Sequence, residues 1–136
     1  MGPPKILPQI FFAAGYKMNP KLFHVQTAAG VIPVRLEVAT TEEGRQRGLM
    51  ERFFLPDRYG MLFVWPNPAQ ISIWMKSTYV DLDVLFLDEA GRIQCVKQGK
   101  KLDLTPIICD GLSKFVVELP LGTCEKYGIR VGDVVL

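Results

Sequence analysis

The segment LDVLFLDEAGRIQCVK, residues 82–97, contains the signals that decide the fold. Its first part, Leu82–Leu87, is a nearly continuous apolar run, which is typical of a strand buried on both faces. Its last part, Arg92–Lys97, is again rich in strand-forming residues. The tetrapeptide between them, residues 88–91, has the polar and glycine residues typical of a turn. The segment therefore predicts a β-hairpin with a buried first strand.

Short strand-forming runs separated by turn signals continue from Leu22 to the last residue, and helical patterns are scarce. This spacing predicts an all-β (minor α), single compact, mainly antiparallel, β-barrel-like domain over residues 22–136. Residues 27–30 predict a compact hairpin turn, and Pro66-Asn67-Pro68 predicts a loop because proline cannot donate to a strand ladder. We expect about eight strands, at Leu22–Gln26, Val31–Val38, Met61–Trp65, Ile71–Met75, Leu82–Leu87, Arg92–Lys97, Lys114–Leu119 and Asp133–Leu136.

Two short helical turns are expected within this domain. Thr40 and Glu43 stand at the spacing of a capping box, and Gly48 is placed to end the turn that follows. A second turn is expected at Thr123–Tyr127, closed by Gly128.

Composition and charge limit the possible partners. The chain has 136 residues, of which 49% are hydrophobic and 22% charged, and its formal net charge is +2. Three of the 16 basic residues, Lys5, Lys17 and Lys21, lie near the N-terminus with no acidic residue beside them. The rest of the chain has 13 basic and 14 acidic residues, a net charge of −1. Such a balance argues against nucleic acid or an anionic membrane as the main partner.

The N-terminal residues 1–21 differ from the rest of the chain. Their apolar stretch is interrupted by Pro8 and Gln9, which predicts a weakly structured tail or a degenerate signal or anchor segment. The domain itself has no run near the ~18 apolar residues of a membrane span, so we expect a soluble domain. Cytoplasmic and exported or periplasmic locations both remain open.

Cysteine and histidine usage argues against a structural zinc site. Cys95, Cys109 and Cys124 are widely spaced, and His24 is the single histidine. Buried small hydrophobic residues are the favoured interpretation, and one disulfide plus a spare thiol is the other. A cysteine nucleophile would need His24 as its base. We predict no metal and no cofactor.

The order of motifs along the chain resembles a known family. Those motifs are TEEGRQRGLM at residues 41–50, GMLF at 60–63, WMKST at 74–78, LD at 82–83, VELP at 117–120 and a Gly-Asp pair at 132–133. They are similar to the domain-of-unknown-function 192 family of bacteria and archaea. The resemblance implies a compact β-barrel-like domain, often exported or membrane-tethered in relatives, without an established activity. Where the family usually reads W-M-K-N-T and I-P-L-D, this chain has Ser77 in place of asparagine and Asp81 in place of proline.

The segment from Trp74 to Asp83 is the best candidate for a binding site. On an extended strand, Trp74, Lys76 and Thr78 would share one face, where indole, ammonium and hydroxyl groups suit an anionic or carbohydrate-like ligand. The alternative is that Trp74 belongs to the core and Lys76 covers it. The candidate ligand-binding residues are Trp74, Lys76, Thr78 and Asp83, with Arg47, Gly48 and Met50 at the edge of the cleft.

Two further groups have both a functional and a structural interpretation. Asp81 and Asp83 would project to one side of a strand, either for acid-base chemistry or cation binding, or more commonly as turn caps or salt-bridge partners. The thioethers of Met50, Met61 and Met75 suit monovalent copper, but methionine is also the flexible filler of protein cores.

The sequence thus favours a non-enzymatic small-ligand-binding or accessory module with a polar-aromatic cleft. A small enzyme using Asp83 and Lys76 as acid and base is the alternative, and a purely structural protein-interaction domain is the third. The partner is a small molecule or a protein, and its identity and the oligomeric state stay open.

Overall fold

A computed structural model describes residues 19–136 of the chain. Most of the tail expected at residues 1–21, namely residues 1–18, lies outside the described residues. The first strand begins at Lys21, the last residue of that expected tail. Residues 19–136 contain nine strands and two short helices. In chain order these are β1 Lys21–Thr27, β2 Gly30–Ala39, α1 Glu42–Arg47, β3 Tyr59–Ala69, β4 Ser72–Ile73, β5 Leu82–Leu87, β6 Ile93–Gly99, β7 Ile107–Ile108, β8 Ser113–Pro120, α2 Thr123–Tyr127 and β9 Val134–Val135.

Seven of these strands form one curled sheet, a half-barrel, in the order β6-β5-β8-β3-β2-β1-β9. Its neighbours pair antiparallel except β2 and β3, which run parallel and are joined by the segment that contains α1. β4 and β7 form a separate two-stranded ladder. The expected all-β, mainly antiparallel, barrel-like domain with short helices is confirmed.

The sheet buries apolar side chains on both faces because neighbouring residues of a strand point in opposite directions. In β8, Val116 belongs to one core cluster and Val117 to the other. We call the first cluster the pocket-side core, because it backs the pocket described below; it includes Met61, Phe63, Met75, Val84 and Phe86. The second, the far-side core, includes Val25, Leu36, Leu85, Leu87 and Leu119. Every residue of β5 is buried, as the apolar run predicted.

Several local predictions are confirmed. β5 has the expected bounds, and the turn between β1 and β2 falls within residues 27–30. α2 spans Thr123–Tyr127 and ends at Gly128, whose φ of 72° is the left-handed conformation that glycine adopts without strain.

The prediction of a loop at Pro66-Asn67-Pro68 is wrong, since β3 continues to Ala69. The pairing of β3 with β8 shifts between Val64, which faces Phe115, and Ala69, which faces Ser113. This irregularity interrupts the ladder where the prolines lie, so their missing N–H groups cost no ladder hydrogen bond.

The strand expected at Ile71–Met75 is also shorter. Only Ser72–Ile73 pairs, because its partner β7, which was not predicted, is equally short. Beyond it the backbone N–H of Met75 donates to the backbone carbonyl of Asp103 at 3.0 Å. A turn follows, in which Ser77 has a φ of 53°. The last strand is likewise limited to Val134–Val135.

The N-cap of the first helix lies one residue later than predicted. The Thr41 hydroxyl, not that of Thr40, accepts a hydrogen bond from the Gly44 N–H at 3.0 Å. Thr41 has the extended backbone that an N-cap requires. Gly48 ends the helix with a positive φ of 48°, although its ψ of −132° lies outside the left-handed helical region.

The cysteines form one disulfide and leave one spare thiol, which is the second of the two interpretations given above. Cys95 of β6 forms a disulfide with Cys109, which follows β7, and Cys124 is a buried free thiol. The first two are therefore not merely small hydrophobic residues. The bond ties the two-stranded ladder to the edge of the main sheet.

Gly60 at the start of β3 allows an unusually close contact with β8. A Cβ atom added there would lie 1.7 Å from the carbonyl oxygen of Glu118, far inside van der Waals contact. Only glycine fits this approach, which fixes the position of Glu118 relative to β3.

Candidate functional site

A pocket of about 330 Å³ lies between α1, β3, β4 and the turn after β4. Six of the seven predicted site residues line it: Trp74, Lys76, Thr78, Arg47, Gly48 and Met50. Asp83 does not. The pocket-side core packs behind it, since Phe63 and Leu49 belong to both.

Trp74 and Lys76 form an exposed pair in the lining of the pocket. Trp74 is 51% exposed, which excludes a core role, and the Nζ atom of Lys76 lies 5.3 Å from the centroid of its indole ring. The turn at residues 75–78 brings them together, not the strand alternation that the sequence suggested. Thr78 is buried and its hydroxyl donates to the Lys76 carbonyl at 3.0 Å, so it shapes the turn.

The helix α1 contributes two half-buried arginines to the pocket, Arg45 and Arg47. Nη1 of Arg45 donates to the carbonyls of Thr40 at 2.9 Å and Val64 at 2.8 Å. The same guanidinium lies 5.4 Å from the ring centroid of Trp65. These contacts hold Arg45 in one position against the pocket wall.

The pocket also contains a buried carboxyl group, that of Glu118. Its side chain is on the pocket-side face of β8, between Met61 of β3 and Val84 of β5, and the residue is 4% exposed. Within residues 19–136 this carboxyl has neither a hydrogen bond nor an ion pair. Burial disfavours the charged form and raises the pKa of Glu118 to about 8.

A second buried carboxylate, Glu37, occupies the same row of the sheet, because both it and Glu118 face Met61. Glu37 is fully partnered. Arg52 donates to its two oxygens at 2.8 and 2.9 Å, and the Tyr59 hydroxyl donates at 2.5 Å. Burial and this hydrogen bond raise the pKa of Tyr59 above its usual value. The fold thus pairs one carboxyl of the row and leaves the other to the pocket.

Asp83 lies on the opposite face of the sheet, with the far-side core. It is 3% exposed, and its Oδ2 accepts a hydrogen bond from the Cys124 N–H at 2.9 Å. Since Cys124 is in the first turn of α2, Asp83 satisfies a helix N-terminus that lacks a side-chain cap of its own. The expected convergence of Asp83 and Lys76 is therefore not found. Asp81 accepts from the Lys101 N–H at 2.8 Å and fixes a loop.

The remaining candidate nucleophile and thioether ligands are positioned as packing groups. Burial, reinforced by Asp83, raises the pKa of the Cys124 thiol to about 12, and His24 is exposed on β1. This is the opposite of an activated thiolate. Met61 and Met75 are packed in the pocket-side core, and only Met50 reaches the pocket.

Residues 19–136 contain neither a metal-ligand cluster nor a membrane-spanning helix. There is no cluster of three or more His, Cys, Asp or Glu side chains that would suit a metal ion. Neither helix of this region has the length and apolar composition needed to cross a lipid bilayer.

Sequence reasoning missed Glu118 as a site residue. The signal is its position in Val116–Leu119, where an acid interrupts an apolar strand whose two faces are both buried. An acid at such a position needs a partner or a functional reason.

Comparisons with known proteins agree with the fold and the motifs. Residues 24–136 match the model of the DUF192 family, described as "Uncharacterized ACR, COG1430". A crystal structure from Sinorhizobium meliloti 1021, titled a "putative transcription regulator", is 28% identical and superposes with a TM-score of 0.85 over 88% of this chain and 95% of that one. A protein of unknown function from Novosphingobium aromaticivorans DSM 12444 is also 28% identical, with a TM-score of 0.85 over 99% of this chain and 93% of its own. A search of curated proteins gave no match. Since the family match covers most of the sequence, the chain belongs to the domain-of-unknown-function 192 family.

Proposed function

We propose that the protein is a non-enzymatic binding module for a small organic anion, held in the pocket between α1 and the Trp74–Lys76 turn. The observation that carries the proposal is the combination, in one pocket of about 330 Å³, of an exposed indole with three cationic side chains. A site of this size and composition suits a ligand with an anionic group and a flat or sugar-like face.

The charge of the pocket supports an anionic ligand. Arg45, Arg47 and Lys76 carry positive charge, while Glu42 supplies one negative charge. Glu118 is largely uncharged at neutral pH because burial raises its pKa to about 8. The pocket is therefore net positive, although the chain as a whole is nearly neutral.

The aromatic groups support stacking with the ligand. Trp74 presents half of its surface to solvent, and the partly buried Trp65 also lines the pocket. An exposed tryptophan next to a cleft gives a large contact area at little cost in side-chain entropy. The cation on each ring, Lys76 on Trp74 and Arg45 on Trp65, places positive charge beside the stacking surface.

A thermal-shift screen of the full chain tests the proposal. The probes are glucose 6-phosphate, glucuronate, citrate and inorganic phosphate, with uncharged glucose as the reference. A probe at a hundred times its dissociation constant should add about 2.7 kcal/mol to the free energy of unfolding. Trp74→Ala and Lys76→Gln should remove the shift.

Matched controls are Phe53→Ala and Lys97→Gln, because these residues are exposed and do not line the pocket. They should leave the shift unchanged. A flat screen, or shifts that survive Trp74→Ala, would reject the pocket as a binding site.

The alternative of an enzyme using Asp83 and Lys76 loses its geometric basis, because Asp83 is buried with the far-side core and bonds to Cys124, whereas Lys76 lines the pocket from the turn after β4. We therefore propose binding rather than catalysis.

A further inference from the structure

Resting on the proposed binding function, we propose that Glu118 selects the ligand by binding an ammonium group, so that the preferred ligand is an amine-bearing organic anion. Its anionic end would meet the exposed and half-buried cations of the pocket, and its ammonium would meet the buried carboxyl.

The first support is that Glu118 is unpartnered where a carboxyl is costly. It is buried at 4% exposure among the apolar side chains of the pocket-side core. Within residues 19–136 no donor reaches it. A carboxyl buried to this degree without a protein partner keeps only a small part of its hydration. A hydrogen-bond donor on the ligand would supply the missing interaction.

The second support is the contrast with Glu37 in the same row of the sheet. That carboxylate receives a bidentate guanidinium from Arg52 and a phenol from Tyr59. The fold is thus able to satisfy a buried acid at this level of the sheet. It does so for the acid away from the pocket and not for the acid that lines it.

The third support is the separation of charge across the pocket. The charged groups that line it with Glu118 are Glu42, Arg45, Arg47 and Lys76, all from α1 and the turn after β4. The neighbours of Glu118 on its two flanking strands, Met61 and Val84, are apolar. Lys76 is exposed and forms no salt bridge with Glu118, so cations lie toward solvent and the carboxyl lies deep. A zwitterion matches that arrangement end to end.

The proton balance of binding follows directly. At neutral pH most Glu118 side chains carry a proton, because burial raises the pKa to about 8. An ammonium group favours the ionised carboxylate, so binding releases that proton to solvent. The preference for an amine should therefore weaken as pH falls, by up to about tenfold per pH unit below the pKa.

Glucosamine 6-phosphate and glucose 6-phosphate provide a matched pair of probes, since they differ only in an ammonium against a hydroxyl group. Titration calorimetry on the full chain should show the amine bound at least about tenfold more tightly near pH 7. Glu118→Gln, which keeps the size and shape of the side chain, should bring the two affinities within about twofold. Glu43→Gln is the matched control, because Glu43 is exposed on α1 and does not line the pocket.

The outcomes separate this inference from the proposed function. Equal binding of both sugars, lost in Trp74→Ala, would overturn the role of Glu118 and leave the anion site standing. An amine preference that persists in Glu118→Gln would also overturn it. Binding of neither probe would reject both proposals for this class of ligand. A preference that does not change between about pH 6 and about pH 7.5 would contradict the proton balance without requiring any variant.

Discussion

The buried carboxyl of Glu118 should make the stability of the free protein fall as pH rises. In the unfolded chain its pKa is near the model-peptide value of 4.5, and in the folded protein burial raises it to about 8. Between these values the folded protein holds a proton that the unfolded chain has released. The free energy of unfolding therefore contains a contribution that is complete below about pH 4.5 and is lost as pH rises through about 8.

The size of the effect follows from the shift. One proton difference changes the free energy of unfolding by about 1.4 kcal/mol per pH unit, so the full interval corresponds to about 5 kcal/mol. This is a large part of the total stability of a domain of this size. Glu118→Gln removes the titration, so the variant should match the natural protein within about 1 kcal/mol near pH 5 and exceed its stability by several kcal/mol above about pH 8.

Urea unfolding followed by tryptophan fluorescence measures this at each pH, with the midpoint and the slope fitted together. Glu89→Gln is the control, because Glu89 is exposed in the turn between β5 and β6 and should give a curve parallel to the natural one. If the Glu118→Gln curve were also parallel to the natural one across this range, the carboxyl would not be desolvated in solution, and the reasoning would fail.

Three other substitutions test the structural roles assigned here. Ser77→Gly should raise the free energy of unfolding by about 0.5–1 kcal/mol, because φ at this position is 53°; a lower urea midpoint would contradict the strain. Asp83→Ala should cost about 1–2 kcal/mol by removing the acceptor of the Cys124 N–H, while probe binding in the pocket stays unchanged; a loss of binding at unchanged stability would return Asp83 to the site. Replacing both Cys95 and Cys109 by alanine should cost about 3 kcal/mol, since their sequence separation is 14, and reductant should then have no further effect on the melting temperature.

The elements that sequence predicts correctly are those with a strong local signal. Leu82–Leu87 is apolar at nearly every position, and Thr123–Tyr127 ends at a glycine that takes a left-handed conformation. By contrast, β7 consists of Ile107–Ile108 alone and exists only because Ser72–Ile73 lies beside it. Such a pairing depends on tertiary contacts, for which a two-residue pattern gives no warning.

The candidate site shows the same division. The Trp74 and Lys76 side chains lie together as predicted, but a turn brings them together and not the alternation of a strand. Asp83 was misplaced because both faces of β5 are buried, and alternation alone does not say which face carries the pocket. To predict that Glu118 lines the site, the register between β3, β8 and β5 must be known, and no single segment of the sequence contains that information.

The asparagine that the family resemblance implies at position 77 has a conformational explanation. The φ of 53° at Ser77 lies in the region that asparagine tolerates better than most residues, and the Ser77 carbonyl accepts the Glu51 N–H at 2.7 Å. A ligand contact by the amide is therefore not needed to account for that residue.

The bridge between Arg92 and Val134 joins the two outermost strands of the curled sheet. There the Ile93 N–H donates to the backbone carbonyl of Asp133 at 2.8 Å, and the Val135 N–H donates to the backbone carbonyl of Gly91 at 2.9 Å. Open strand edges recruit other chains and start aggregation. At this corner the start of β6 and β9 form backbone hydrogen bonds with each other. Part of both strand edges is therefore not available for pairing with another chain, which favours a protein that stays dispersed at high concentration.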